Sequence, residues 1–212
     1  MYQINRNNYH LKPKNSTIYT PKEVSEFIFE LLKDKINKEG IILDPCCGRG
    51  SLLKPWEDNG HPFAYKIYGI DIDEETESNL IADFLTLTKK GFKLNYFAEF
   101  KKPQDKLALI LCNPPFNGYY PKLGSEVWLD KIIELFGKDV PIVLFAPVGF
   151  LMNLTLKSKR HEKFENGIYP PIVSRITLPK NIFPDVIFHS EILIFNITGL
   201  EPHYFYQEKK HE

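Results

Sequence analysis

The chain has no long hydrophobic run. The longest, Ile142 to Met152, covers 11 residues and is broken by Pro147 and Gly149, too short to span a bilayer. Its first residues, MYQINRNNYHLKPKN, carry no apolar core of the kind a signal peptide needs. Cysteine is scarce. Cys46, Cys47 and Cys112 make no disulfide framework, and the adjacent pair cannot bridge without strain. No Cys-x-x-Cys or Cys/His spacing suggests a zinc site, so no metal is expected. Neither sign of charge prevails: 27 Lys and Arg stand against 27 Asp and Glu. Binding of long nucleic acid depends on neutralising phosphates and leaves a basic footprint, so this balance leaves room only for a local basic patch. There is no internal repeat and no low-complexity segment. Together these absences predict a reduced, soluble, cytoplasmic protein that does not enter the membrane.

What is present is ordinary globular material. A chain of 212 residues, 43% hydrophobic and 25% charged, is long enough to bury a substantial core as one domain without covalent staples. Residues 1–18 form a polar arm, and 19–212 form the single domain. Thr20-Pro21-Lys22-Glu23 predicts a helix start, with Thr20 as the cap, Pro at the first helical position and Glu three residues after the cap. Val24, Phe27, Ile28, Leu31 and Leu32 then recur at helical spacing. Short apolar runs at 41–43 and 66–70 predict strands. Leu80, Ile81, Phe84, Leu85 and Leu87, closed by Lys89-Lys90-Gly91, predict a helix over 74–90. Strands are expected at 94–97, 107–112, 142–146, 173–178 and 191–197, and a helix at 125–136. Alternating strands and helices imply a doubly wound, Rossmann-like α/β fold with a mostly parallel sheet. The last two strands have no helix between them, so they are expected to pair antiparallel.

In such sheets ligands bind beyond the carboxyl ends of the strands, and three loops there carry chemistry. Gly48-x-Gly50 follows the first strand, where glycine lets the backbone approach a ligand. It is not a complete G-x-G-x-x-G fingerprint, because Leu53 holds the third glycine position, and no G-K-[ST] follows to make a P-loop. A nucleoside-type cofactor without phosphates fits better than a dinucleotide. Asp71 ends the second strand, where a carboxylate can accept both hydroxyls of a ribose. Asp73, Glu74 and Glu75 were more simply the acidic first turn of the helix expected there. Asn113-Pro114-Pro115-Phe116 ends a strand placed beside the first. The two prolines remove N–H donors and leave carbonyls and the Asn side chain as acceptors, with an aromatic ring alongside. That set suits a planar group bearing an amine: acceptors take the NH₂ hydrogens and the ring stacks on its face.

In order and spacing, Thr20-Pro21, Asp44-Pro45-x-Cys47-Gly48-x-Gly50, Gly69-Ile70-Asp71 and Asn113-Pro114-Pro115-Phe116 resemble the N6-adenine DNA methyltransferases. The resemblance is to the γ-ordered group that includes type I restriction modification subunits. Leu178-Pro179-x-x-Ile182-Phe183 and Glu191-Ile192-Leu193-Ile194-Phe195 are similar to that group's last hairpin. The resemblance implies a class I methyltransferase fold, S-adenosylmethionine as cofactor and adenine in DNA as substrate. It implies that Tyr19, Thr20 and Pro21 flank the methionine end, that Asp44, Cys46, Gly48 and Gly50 line the cofactor, and that Asp71 holds the ribose. Asn113 and the Pro114 carbonyl would accept from the adenine amino group, with Pro115 shaping the turn and Phe116 stacking on the base. The acid at the cofactor's adenine is Asp83, in Asp83-Phe84-Leu85, or Glu99, beside Phe100. The helix expected over 74–90 favours Glu99.

The last predicted strand ends some 15 residues before the end of the sequence, so no target-recognition domain is expected, and a separate specificity subunit is the implied partner. Phosphate contacts would come from the basic run Lys157 to Lys163 unless that run is simply a solvated helix face, and Tyr119-Tyr120 could stack on a neighbouring base. The same fold could instead act on RNA adenine or a protein glutamine amide, or serve as a non-catalytic binding subunit. Leu53 and the Asn-Pro-Pro-Phe run disfavour a nicotinamide oxidoreductase.

Overall fold

The computed structural model describes residues 18–59, 66–90, 107–116, 119, 122–184 and 186–207. The described strands form one eight-stranded sheet: β1 Ile41–Asp44, β2 Lys66–Asp71, β3 Leu80–Ile81, β4 Leu107–Cys112, β5 Ile142–Pro147, β6 Ile172–Thr177, β7 Ser190–Phe195 and β8 His203–Phe205. Their order across the sheet is β3-β2-β1-β4-β5-β7-β6-β8. From β3 to β5 neighbours run parallel. β7 then enters antiparallel to both β5 and β6, and β8 pairs parallel with β6.

The central strands are uninterrupted apolar runs because both faces of the sheet are covered. β1, β4 and β7 are buried at every position. On one face α1 (Lys22–Leu32) and α2 (Lys54–Asp58) pack with Val24, Ile28, Leu32 and Trp56 against Leu109, Val143 and Ile192. On the other, α3 (Gly124–Phe136) places Trp128, Leu129 and Ile132 against Leu43, Ile110 and Leu144. Two shorter helices, α4 (Gly149–Met152) and α5 (Lys159–Glu165), follow β5.

Three sequence expectations are corrected. No helix spans 74–90. Asp71 and Ile70 pair instead with Ile81 and Leu80 of β3, and a single 3₁₀ turn covers Phe84–Thr86. Short polar side chains compete with the helix for its backbone: Asp73 accepts from Glu75 N at 3.0 Å, Asn79 accepts from Gly69 N at 2.7 Å, and Asp83 accepts from Leu85 N at 2.9 Å. Thr20 does not cap α1. Pro21 stands at the N-cap without a side-chain hydrogen bond. The basic run is not a free phosphate grip, because Arg160 donates to Glu126 at 3.0 Å and Lys163 to Asp130 at 2.6 Å, leaving only Lys157 and Lys159 of its basic side chains exposed. The expected strand at 94–97, Glu99, Phe100, Tyr120 and residues 1–17 of the arm lie outside the described residues.

The α3–α5 ion pairs fasten the first turn of α3. Glu126 is buried and shared by Arg160 and Lys163. Hydrogen bonds from Lys163, Tyr169 and Lys122 hold the Asp130 carboxyl below its usual range, against the opposing effect of its burial. Removing one member of such a cluster leaves charge without its partner in a dry place. Glu126→Ala is therefore expected to lower unfolding stability by about 3 kcal/mol, measured by urea denaturation. A loss below about 0.5 kcal/mol, typical of surface substitutions, would mean the cluster is only a surface ornament.

Candidate active site

The loop after β1 is wired to its neighbours through backbone groups. Asp44 is buried, and its Oδ1 accepts from Cys46 N at 3.0 Å. Cys47 N donates to Ile70 O at 2.9 Å, which hooks the loop onto β2. Gly48 N donates to Asp71 Oδ2 at 2.7 Å. Gly48 and Gly50 have φ of +52° and +72°, a region that side-chain-bearing residues rarely enter. A Cβ on Gly48 would also meet the Tyr19 ring at 2.9 Å. Tyr19 lies in turn beneath the Arg49 guanidinium, 4.9 Å from its ring centre. Asp71 spends one hydrogen bond on Gly48 and one on Asp73 N, at 2.9 Å. A carboxylate has about four acceptor positions, so it retains capacity for a diol.

Beyond β3, Asp83 caps the 3₁₀ turn with one oxygen, and Phe84 is buried, stacked on Trp128 with centroids 5.3 Å apart. The Trp128 indole donates to Tyr119 Oη at 3.4 Å. At the end of β4, Asn113 and Phe116 are half-buried and Pro114 is buried. The Phe116 ring tilts against Phe188, 5.1 Å between centroids. Asn113 Nδ2 donates to Thr20 Oγ1 at 3.0 Å. The turn is braced from behind by α3: a Cβ on Gly124 would overlap the Pro115 carbonyl oxygen, so that helix closes on the tetrad only with glycine there.

These loops enclose one cavity of about 640 Å³, within the usual range for a ligand site. Of the residues named from sequence, Tyr19, Thr20, Asp44, Cys46, Gly48, Asp71, Asp83, Asn113, Pro114, Pro115 and Phe116 line it; Pro21 and Gly50 do not. Asp83 lines the cavity; Glu99, which the sequence argument favoured, lies outside the described residues, and the helix over 74–90 on which that preference rested is absent. The sequence reading missed Ile18, Trp128, Phe183, Val186 and Phe188 as lining residues. Phe183 belongs to the tail motif already noted, and Trp128 interrupts the apolar stripe of α3 with the only indole there. No Lys, Arg or His lines the cavity among the described residues, whereas Asp44, Asp71, Asp73 and Asp83 do.

The thiols are poorly suited to act as nucleophiles. Burial pushes Cys46 and Cys112 above their usual range and Cys47 up to about 12. Cys46 Sγ lies 3.9 Å from Cys112 Sγ. Among the described residues no cluster of His, Cys, Asp and Glu could hold a metal ion, and no helix is long and apolar enough to cross a membrane.

A similar fold occurs in the methyltransferase subunit of a type I restriction-modification system from Streptococcus thermophilus. That structure superposes with a TM-score of 0.58 at 18% identity, over 88% of this chain and 46% of that one. The architecture is the class I methyltransferase fold. Within that class the chain belongs to the N-6 DNA methylase family, whose model matches residues 2–133. It is 27% identical over 146 residues to the type II methyltransferase M.VspI of Vibrio sp. (strain 343), covering 67% of this chain and 35% of that protein. It is 26% identical to the type I restriction enzyme MjaVII methylase subunit of Methanocaldococcus jannaschii, covering 87% of this chain and 37% of that one. The chain thus spans about a third of the length of these two curated relatives.

Asp44 gives the site a pH signature. Burial, opposed by the Cys46 N–H and reinforced by the Asp71 charge, raises its carboxyl from 3.8 to about 7. Between those values the unfolded chain has lost the proton and the folded one keeps it, so stability falls as pH rises from 4 to 7 and then levels. Asp44→Asn is expected to flatten that slope and to be more stable than the wild type by up to about 4 kcal/mol at pH 8, measured by urea denaturation against pH. An unchanged slope would assign the titration elsewhere.

Proposed function

We propose that this chain is the methyl-transferring part of an adenine-N6 DNA methyltransferase that uses S-adenosylmethionine. The observation that carries the reading is that a glycine loop with a diol-accepting carboxylate and a turn stripped of donors share one cavity. The fit to the cofactor rests on three features. The Gly48 backbone lies flat under Tyr19 where a Cβ would intrude, Asp71 has acceptor positions to spare, and the lining carboxyls suit a positively charged ligand while offering nothing to a phosphate. Tyr19 and Cys46 would flank the methionine end, with Pro21 and Gly50 shaping the backbone behind them. Asp71 would hold the ribose, and Asp83 the adenine amino group.

When bound, the cofactor supplies an electrophilic methyl group on sulfur. The target amine is a poor nucleophile because its lone pair is delocalised into the purine. Asn113 Oδ1 and the Pro114 carbonyl would accept its two hydrogens, drawing the nitrogen towards a tetrahedral form with its lone pair available. Phe116 would stack on the base and fix its plane. The chain's contribution is positioning and electrostatics rather than covalent catalysis, which agrees with the raised thiols of Cys46, Cys47 and Cys112. Membership of the DNA methylase family favours DNA over RNA or a glutamine amide as the substrate.

A base presented to this cavity must leave its stack, so phosphates on either side need partners outside the acidic cavity. Charge over the whole chain is balanced, and Arg160 and Lys163 are engaged internally. We therefore assign sequence recognition to a separate specificity subunit or target-recognition segment.

The test supplies radiolabelled S-adenosylmethionine to mixed DNA, mixed RNA and a protein extract in parallel. The expected product is label in DNA N6-methyladenine, with Asn113→Ala slower by at least about 100-fold. Label confined to RNA or protein, or undiminished DNA labelling by Asn113→Ala, would contradict the proposal.

A further inference from the structure

Thr20 is a residue with two candidate occupations, and the geometry separates them. Its sequence position marks it as a helix cap, yet its hydroxyl caps nothing. The residue is only 6% exposed, and its Oγ1 accepts from Asn113 Nδ2 at 3.0 Å across 93 residues of sequence. Both ends of this contact are firmly mounted. Pro21 O accepts from Val24 N, Ser25 N and Ser25 Oγ, which ties Thr20 to an α1 whose Val24, Ile28 and Leu32 are core residues. Asn113 continues directly from β4, a strand buried throughout.

A carboxamide has two ends of nearly equal shape and opposite polarity. Only one of them helps the reaction proposed above, since a substrate amine must meet an acceptor, and an NH₂ turned towards it would repel. Packing alone cannot choose between ends of the same size, and a hydroxyl can accept from the nitrogen or donate to the oxygen; here Thr20 Oγ1 accepts from the nitrogen. We propose that Thr20 is the positioning residue that holds the amide in this orientation: by accepting from the Asn113 amide nitrogen, it leaves Asn113 Oδ1 free for the substrate side of the cavity. Thr20 then acts through Asn113 and need not touch the reacting atoms. The proposal rests on the reading that Asn113 accepts from a target amine.

Two measurements on the intact chain test it, using Thr20→Val, which keeps the shape and removes the oxygen, and Thr20→Ser, which keeps the oxygen. The first is solvent exchange of the Asn113 side-chain NH₂ protons by NMR, assigned by their disappearance in Asn113→Asp. Exchange is expected to be slow in the wild type and Thr20→Ser, and at least about tenfold faster in Thr20→Val, as loss of a net hydrogen bond of ordinary strength requires. Equal exchange in wild type and Thr20→Val would overturn the proposal without any reference to activity. The second is methyl transfer. Thr20→Val is expected to lower kcat by about 10- to 100-fold while the Kd for S-adenosylmethionine stays within about threefold, with Thr20→Ser restoring kcat. A rise in that Kd with kcat preserved would make Thr20 a cofactor contact instead and overturn the positioning role. A wild type that transfers no methyl group to DNA adenine would count against the proposed function, and the exchange measurement would still decide the hydrogen bond.

Discussion

β1 pairs with β2 on one edge and with β4 on the other, and this double pairing decides where every other part of the site can be. Asp44 aligns with Gly69 and Leu43 with Ile110, so the three strands end at nearly the same height. The glycine loop, Asp71 and the Asn-Pro-Pro-Phe turn are the segments that leave the sheet at that level, and they meet without any long excursion. Cys47 N reaching Ile70 O and Gly48 N reaching Asp71 extend the β1–β2 pairing past the strands into the loop itself. The price of this closeness is space. Gly69 can have no side chain because Cys47 Sγ would lie 2.7 Å from its Cβ, and Gly124 none because Pro115 O occupies that volume. Two glycines with no special backbone angle are thereby fixed by close approach alone.

The electrostatic character of the cavity follows from the same construction. Strand ends and proline turns present carbonyls, the lining side chains add four carboxyls, and no basic side chain enters among the described residues. Such a surface attracts a cationic ligand and N–H donors and repels phosphate. On the proposed function, a methyl donor carrying a sulfonium charge and a substrate offering an amine would be two halves of one electrostatic fit. Burial keeps Asp44 readily protonated near neutrality, which moderates the repulsion between it and Asp71 across the loop.

Much of this was legible in the sequence. β1, β2, β4, β5 and the antiparallel end of the sheet follow from apolar runs and turn residues, and the Asn-Pro-Pro-Phe run marks the turn after β4 that lines the cavity. The stretch from 74 to 90 was not legible, because its leucines and phenylalanine fall at helical spacing by coincidence while Asp73, Asn79 and Asp83 commit the backbone to turns. The preference for Glu99 over Asp83 rested on the helix expected there, and Glu99 lies outside the described residues. Thr20 misled for a related reason: a good helix cap was diverted to a partner 93 residues away, and no local pattern announces a contact of that range. Arg160 and Lys163 looked like surface charge because their partners, Glu126 and Asp130, sit on a different helix.

The central claim is that the glycine loop and the tetrad serve one bound cofactor and one target amine within a single cavity. A crystal structure of the chain with sinefungin, the analogue that carries an amine in place of the transferable methyl group, tests it most directly. The account predicts the ribose hydroxyls on Asp71 and the analogue's amine facing Asn113 and the Pro114 carbonyl. An analogue bound with that amine directed away from the tetrad, or seated outside this cavity, would contradict it.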